Sequence, residues 1–200
     1  MPSGRYVVLG DDGEPIGTED FRCAPGPAGW RYFSEIETAE HGRHREIVDV
    51  AVDADWRPVR LRVDTEAHDL LLEAAGDVIA GFHDRAPVEH RWGRDTHLDY
   101  LTPATNLITT KRLSGTGEIE VLFVEPFTLA ARPVRQRYEL LGEEAVDTAV
   151  GRFEANRWRF TAMDDGWTGD LWVAGDVVVA YEGIFRLVTY DPGAHGARPG

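Results

Sequence analysis

The chain is poor in sulfur and in positive charge, with one cysteine, two methionines, and 21 lysines and arginines against 35 aspartates and glutamates. A lone Cys23 excludes an internal disulfide and a Cys-x-x-Cys metal or redox pair, and fits a reducing compartment. A formal net charge of −14 excludes the basic footprint that neutralises nucleic-acid phosphates. The same sign opposes docking on anionic lipid. No run approaches the roughly 18 consecutive apolar residues that span a bilayer. Met1 to Asp12 lacks the apolar core of a secretory signal. Cys23 follows Glu19-Asp20-Phe21-Arg22, not the apolar segment that a lipid-modified cysteine requires. These absences predict a soluble, cytoplasmic protein with no transmembrane segment and no nucleic-acid partner.

Helix signals are also few, and what fills the chain is period-two alternation, the mark of strands with one buried face. The clearest hairpin runs from Glu46 to Asp64. Val48, Val50 and Val52, and beyond the Asp55–Pro58 turn Val59, Leu61 and Val63, are expected to face a core. Asp49 and Asp53 are left to meet Arg60 and Arg62 outside. Two further hairpins turn about Ala75-Gly76-Asp77 and Ala174-Gly175-Asp176, the same turn chemistry used twice. Strands are expected at 31–38, 118–125, 134–141, 146–153, 156–163 and 184–190. Residues 1–30 are read as an irregular lead-in or flap, and 191–200 as a disordered tail. The pattern predicts one mainly all-β domain over 31–190. It is an antiparallel sheet curled into a half-barrel or barrel, with one or two short helical segments. The clearest helix signal is Thr102 to Leu113, with Thr102 as cap, Pro103 at the first position and Lys111-Arg112 near the end.

The stretch His97-Leu98-Asp99-Tyr100-Leu101-Thr102-Pro103-Ala104-Thr105-Asn106, with Arg112-Leu113 beyond it, resembles the central motif of a bacterial, biochemically uncharacterised glycolipid-binding family. Trp172 to Tyr181 resembles that family's closing hairpin, and Val50 to Val63 its early strand, aromatic turn and strand. The likeness implies a half-barrel similar to the lipoprotein-carrier proteins of the outer-membrane pathway, closed by short helical or loop segments over an apolar cavity. It departs at Thr109-Thr110-Lys111, where the family motif has Pro-Ile-Arg, and residues 1–30 match nothing in it. On this reading Trp56, Trp158, Trp172 and Tyr181 contact the apolar part of a ligand, Asn106 and Arg112 meet its head group, and Tyr100 is a further ligand-binding residue. The alternative is that the rings pack on one another in a filled barrel.

Among polar groups, His97 and Asp99 would project from one face of a strand, about 7 Å apart. They are placed either as a general acid/base pair or as a turn anchor and a rim residue. No nucleophile motif such as Gly-x-Ser-x-Gly accompanies them. Arg112 has two fates, bidentate contact with a head group or surface pairing with a carboxylate. His83, His90 and His97 recur every seven residues, but Gly81, Pro87 and Gly93 break any helix that would align them. His41-Gly42-Arg43-His44 and Asp164-Asp165-Gly166 read as turns, and no metal and no cofactor is expected. The leading functional reading is a binder of a hydrophobic or amphipathic small molecule. The rivals are an isomerase, cyclase or hydrolase using His97 and Asp99, and a ligand-free interaction module with an acidic face.

Overall fold

Alternation of buried and more exposed side chains runs through most of the longer strands of the protein. The computed structural model describes residues 1–39, 43–93, 96–194, 196, 198 and 199. Among these, the first half of the chain forms β1 (Ser3–Leu9), β2 (Pro15–Gly26), β3 (Gly29–Thr38), β4 (His44–Asp53), β5 (Pro58–Thr65), β6 (Asp69–Ala75), β7 (Val78–His83) and β8 (Ala86–Arg91). The short β9 (His97–Asp99) and helix α1 (Pro103–Leu113) follow. The second half is β10 (Gly117–Val124), β11 (Ala131–Thr148), β12 (Gly151–Ala162), β13 (Thr168–Ala174), β14 (Val177–Tyr181) and β15 (Phe185–Asp191).

All these strands join one curved, open sheet in the order β8 to β1, then β15 down to β9. Two meanders are fused where the first strand pairs with the last. Each neighbouring pair is antiparallel except β9 with β10. A parallel pair needs a crossover, and α1 supplies it. The sheet curls until β9 meets β5, and α1 packs against β14 and β9. No helix among the described residues is long and apolar enough to cross a membrane.

The helix begins as its sequence dictates. Thr102 is the N-cap, its side chain accepting from the Ala104 N–H, and Ser114 closes the other end in the left-handed region. Every residue from Pro103 to Thr110 is buried, so α1 fills the concave side instead of lying on a surface. Its β-branched threonines would be costly polar groups there. They are satisfied internally: Thr109 Oγ1 donates to the Thr105 carbonyl at 3.1 Å and Thr110 Oγ1 to the Leu107 carbonyl at 2.8 Å.

Several expectations need correction. Residues 1–30 are not an irregular flap, because β1 and β2 occupy most of them and sit at the centre of the sheet. The short alternation in each is masked by Gly4, Pro15, Gly17 and the Pro25-Gly26-Pro27 run. Val59 is 47 % exposed, since a bulge sets Val52 opposite Pro58 and Ala51 opposite Arg60, leaving Val59 as the extra residue. The segments 134–141 and 146–153 are not separate strands. β11 runs unbroken through a bulge between Leu140 and Gly142, where Gly142 has φ 133°, and the chain turns only at 149–150.

The other predicted pattern stands. Val48, Val50, Val52, Leu61 and Val63 are buried. Gly76 (φ 68°) and Gly175 (φ 53°) each open a two-residue turn followed by aspartate, the arrangement of a type II′ hairpin. Outside, Asp49 accepts from Arg31 and Arg60. Arg62 pairs with Asp64 instead, and Asp53 caps its own turn through the Asp55 and Arg57 N–H groups. In the tail, Gly196 N–H donates to the Pro192 carbonyl, while His195, Ala197 and Gly200 lie outside the described residues. His41 and Gly42 of the predicted turn lie outside them too.

Candidate functional site

With α1 packed on the concave side, a partly enclosed space lies ahead of the helix N-terminus. It is a cleft of about 300 Å³ between the Tyr100–Asn106 segment and the inner faces of β10, β11, β12, β14 and β15. Phe123, Val134, Phe160, Tyr181, Ile184 and Phe185 make its walls apolar, and Trp167 stands at the side, 40 % exposed. The rings brace one another: Phe160 and Trp167 centroids are 5.7 Å apart, and Tyr181 and Phe185 6.3 Å.

The polar floor is a chain of hydrogen bonds. Asn106 Nδ2 donates to the Tyr138 hydroxyl at 2.8 Å, that hydroxyl donates to Gln136 Oε1 at 3.2 Å, and Gln136 Nε2 donates to Asp99 Oδ2 at 2.6 Å. Asn106, Gln136 and Asp99 all line the cleft. Burial pushes the Asp99 carboxyl above its usual range, opposed by hydrogen bonds from Thr105, Gln136 and the Tyr100 N–H. The rim carries Arg132 and Arg135 with Asp164 and Asp165. Arg132 bonds Glu125 and Asp164, and Arg135 bonds Glu118, so both rim arginines are already paired with carboxylates.

Behind the cleft the same segment is tied to the first meander. Thr102 Oγ1 and the Tyr32 hydroxyl both donate to Glu19 Oε1, at 2.6 and 2.7 Å, and the Tyr100 hydroxyl donates to Glu46 Oε2. Glu46 Oε1 also meets His44 Nε2 at 2.6 Å. Burial pushes Glu19 up to about 7, against the pull of those hydroxyls. Two buried carboxylates thus hold the wall of the cleft from behind.

Of the residues singled out from the sequence, Tyr100, Asn106 and Tyr181 line this cleft together with Asp99. His97 is not among the lining residues; it is buried, its Nδ1 3.4 Å from Thr109 Oγ1. Trp56 lies elsewhere, in the β4–β5 turn at φ 61°, against Trp30 and under Lys111. Trp158 is a core residue two positions before Phe160 on β12 and does not line the cleft. Trp172 faces outward, as its place between the buried Leu171 and Val173 requires, and donates to Glu144 Oε1 at 2.7 Å. Arg112 lines a shallow depression with Thr96 and Glu118. Six residues of helix, about 9 Å at 1.5 Å each, separate it from Asn106. Phe160, Trp167 and Gln136 were not singled out as site residues. Phe160 was legible as the period-two neighbour of Trp158, while Gln136 and Trp167 reach the cleft only through strand pairing and a turn.

No family model matches the sequence, and no curated protein matches it. Among solved structures, the chain is similar to a DUF1089 family protein from Pseudomonas aeruginosa. The TM-score is 0.62 at 19% identity, over 84% of this chain and 91% of that one. It is also similar to a beta-barrel-like protein of the domain of unknown function DUF1849 from Brucella abortus, with TM-score 0.52 at 10% identity over 95% of both chains. At these identities the likeness is one of fold, and the chain shares the barrel-like architecture of these two proteins.

Proposed function

We propose that the protein binds a small amphipathic molecule, its apolar part in the cleft and a neutral hydroxylated head at the rim. The observation that carries this reading is the apolar cleft of about 300 Å³ beside the buried N-terminus of α1. Apolar walls with a few convergent polar groups are the usual composition of a small-molecule site. At about 30 Å³ for a water-sized group, 300 Å³ holds roughly ten non-hydrogen atoms, which suits a medium-length tail better than a long fatty chain. The rim favours a neutral head. An anion would have to displace carboxylates from Arg132 or Arg135, whereas hydroxyl groups can share those pairs while a sugar ring lies on Trp167. The resemblance of His97–Asn106 to a glycolipid-binding family supports the same class of ligand.

Calorimetric titration with an n-octyl glycoside below its micelle concentration tests the proposal. Saturable one-to-one binding is expected, and Ala162→Trp, which puts a ring into the cleft from its lining, is expected to abolish it while far-UV circular dichroism stays unchanged. Absence of saturable binding, or binding unaffected by the blocking ring, overturns it.

A further inference from the structure

A second constellation sits on the opposite part of the sheet, on the β5–β6 loop and the β7–β8 turn, and no residue of β5–β8 lines the cleft. His68 Nδ1 lies 2.6 Å from Asp84 Oδ2, and His83 Nε2 lies 3.8 Å from the same oxygen. The ligand atoms of all three residues fall within 4.8 Å of one another. The two imidazoles meet edge to face at 5.8 Å. His83 Nε2 is itself buried from solvent and has no hydrogen-bond partner. A buried ring nitrogen left without a partner is costly, and here it faces a carboxylate oxygen and a second imidazole.

We infer that His68, His83 and Asp84 form a binding site for one divalent transition-metal ion of the zinc class. Metal–nitrogen and metal–oxygen distances of about 2.0–2.2 Å place tetrahedral donors roughly 3.4 Å apart. The 2.6 Å His68–Asp84 contact has to open by less than an ångström, the 3.8 Å His83–Asp84 separation to close slightly, and the two imidazole donors, within 4.8 Å of each other, to approach by up to about 1.4 Å, shifts within the reach of side-chain rotation. Two imidazoles and one carboxylate suit zinc, iron, nickel or copper, and not the all-oxygen shells of calcium or magnesium. Three protein ligands leave a fourth position for water or an exogenous donor.

The surroundings hold these groups in place. Asp84 Oδ1 accepts from the Asp69 N–H at 2.9 Å, leaving Oδ2 for the ion, and Asp84 N–H donates to the Asp69 carbonyl. That backbone bond and the His68 ring keep the Asp84 carboxylate below its usual range, as a ligand must be. Asp84 and Arg85, at φ 49° and 67°, are the two central residues of a His83–Ala86 turn. Both being in the left-handed region marks a type I′ hairpin, which aims Asp84 back toward the loop. On the other side, Thr65 Oγ1 accepts from the His68 N–H at 2.8 Å and donates to its carbonyl at 3.1 Å. His83 and Asp84 are adjacent in sequence, but His68 joins them only because β6 and β7 pair Leu70 with His83.

The test is equilibrium dialysis of the full chain against zinc alone, with the visible spectrum of bound cobalt as a second readout. One zinc per chain is expected, with a rise in Tm of roughly 5–10 °C at a free zinc concentration one hundred times Kd. Asp84→Asn, which the left-handed turn position tolerates, and His83→Ala are each expected to weaken binding at least ten-fold. A wild-type chain that takes up no zinc at about 100 µM overturns the proposal. So does uptake that both variants retain, because the ion is then held by other residues.

Discussion

Thr102, which caps the helix, donates its hydroxyl to Glu19 on β2 at 2.6 Å, across 83 positions of sequence. The bond ties the start of α1 to the middle of the sheet, and the burial of Glu19, which the bond only partly offsets, gives the fold a pH dependence. Glu19 sits at about 7 in the folded chain against an ordinary value of 4.5. The folded state therefore binds more protons than the unfolded state between these values. Stability is highest below about pH 4.5 as far as this group is concerned, falls as pH rises to 7, and is flat above. The span amounts to about 3 kcal/mol. Glu19→Gln is expected to flatten this part of the curve, measured as the difference in unfolding free energy between pH 5 and pH 8. An unchanged slope in the variant would refute the assignment.

The floor of the cleft acts as one polar unit. Replacing Gln136 by leucine leaves Asp99 without its amide donor and the Tyr138 hydroxyl without its acceptor. The expected loss is about 2–4 kcal/mol, the cost of two buried groups left unmatched. Asp99→Asn alone should cost less. In the double variant the two effects should fall short of their sum by about 1 kcal/mol or more, as members of one network do. Additive chemical-denaturation energies would show that the chain of bonds is not coupled.

Tail length reads out the depth of the cleft. Across a series of alkyl glycosides, each added methylene is expected to raise affinity by about four-fold, at roughly 0.8 kcal/mol per buried group. The rise should stop near ten carbons, where the space of about 300 Å³ is full. A gain that continues to 14 or 16 carbons would instead require the helix to move. Trp167→Ala should shift the whole series by a common factor through the lost rim contact.

The bulge in β5 makes opposite predictions for two neighbouring side chains. Leu61 is fully buried and Val59 half-exposed. Leu61→Ala should cost about 2–5 kcal/mol, whereas Val59→Ala should stay within about 0.5 kcal/mol. Equal losses on urea denaturation would mean that strict alternation, and not the bulge, describes the strand.

Much of the architecture was legible in the sequence because it rests on local chemistry. Alternation at Val48–Val52 and Leu61–Val63, glycine at Gly76 and Gly175, and the Thr102-Pro103 start of α1 each depend on residues a few positions apart. Strands β1 and β2 escaped because glycine and proline interrupt their alternation, and Val59 was misplaced because a bulge shifts the face by one without leaving a mark in composition. The site was less legible for the same reason. Tyr100, Asn106 and Tyr181 stand out by type and motif, but a strand's period two says only which residues share a face, not which end of the sheet α1 leaves unfilled. That is why Trp56, Trp158 and Trp172, three large rings alike in sequence, lie in a turn, in the core and on the outer face. By itself the sequence determined most of the strands outside β1 and β2, the glycine turns and the helix cap, because hydrogen bonding and side-chain direction there are set by nearest neighbours. Only the tertiary structure decided that His68 meets His83, that Gln136 meets Asp99, and that an apolar cleft lies beside the N-terminus of α1. Those contacts depend on how far the sheet curls, and curl is summed over all its strands.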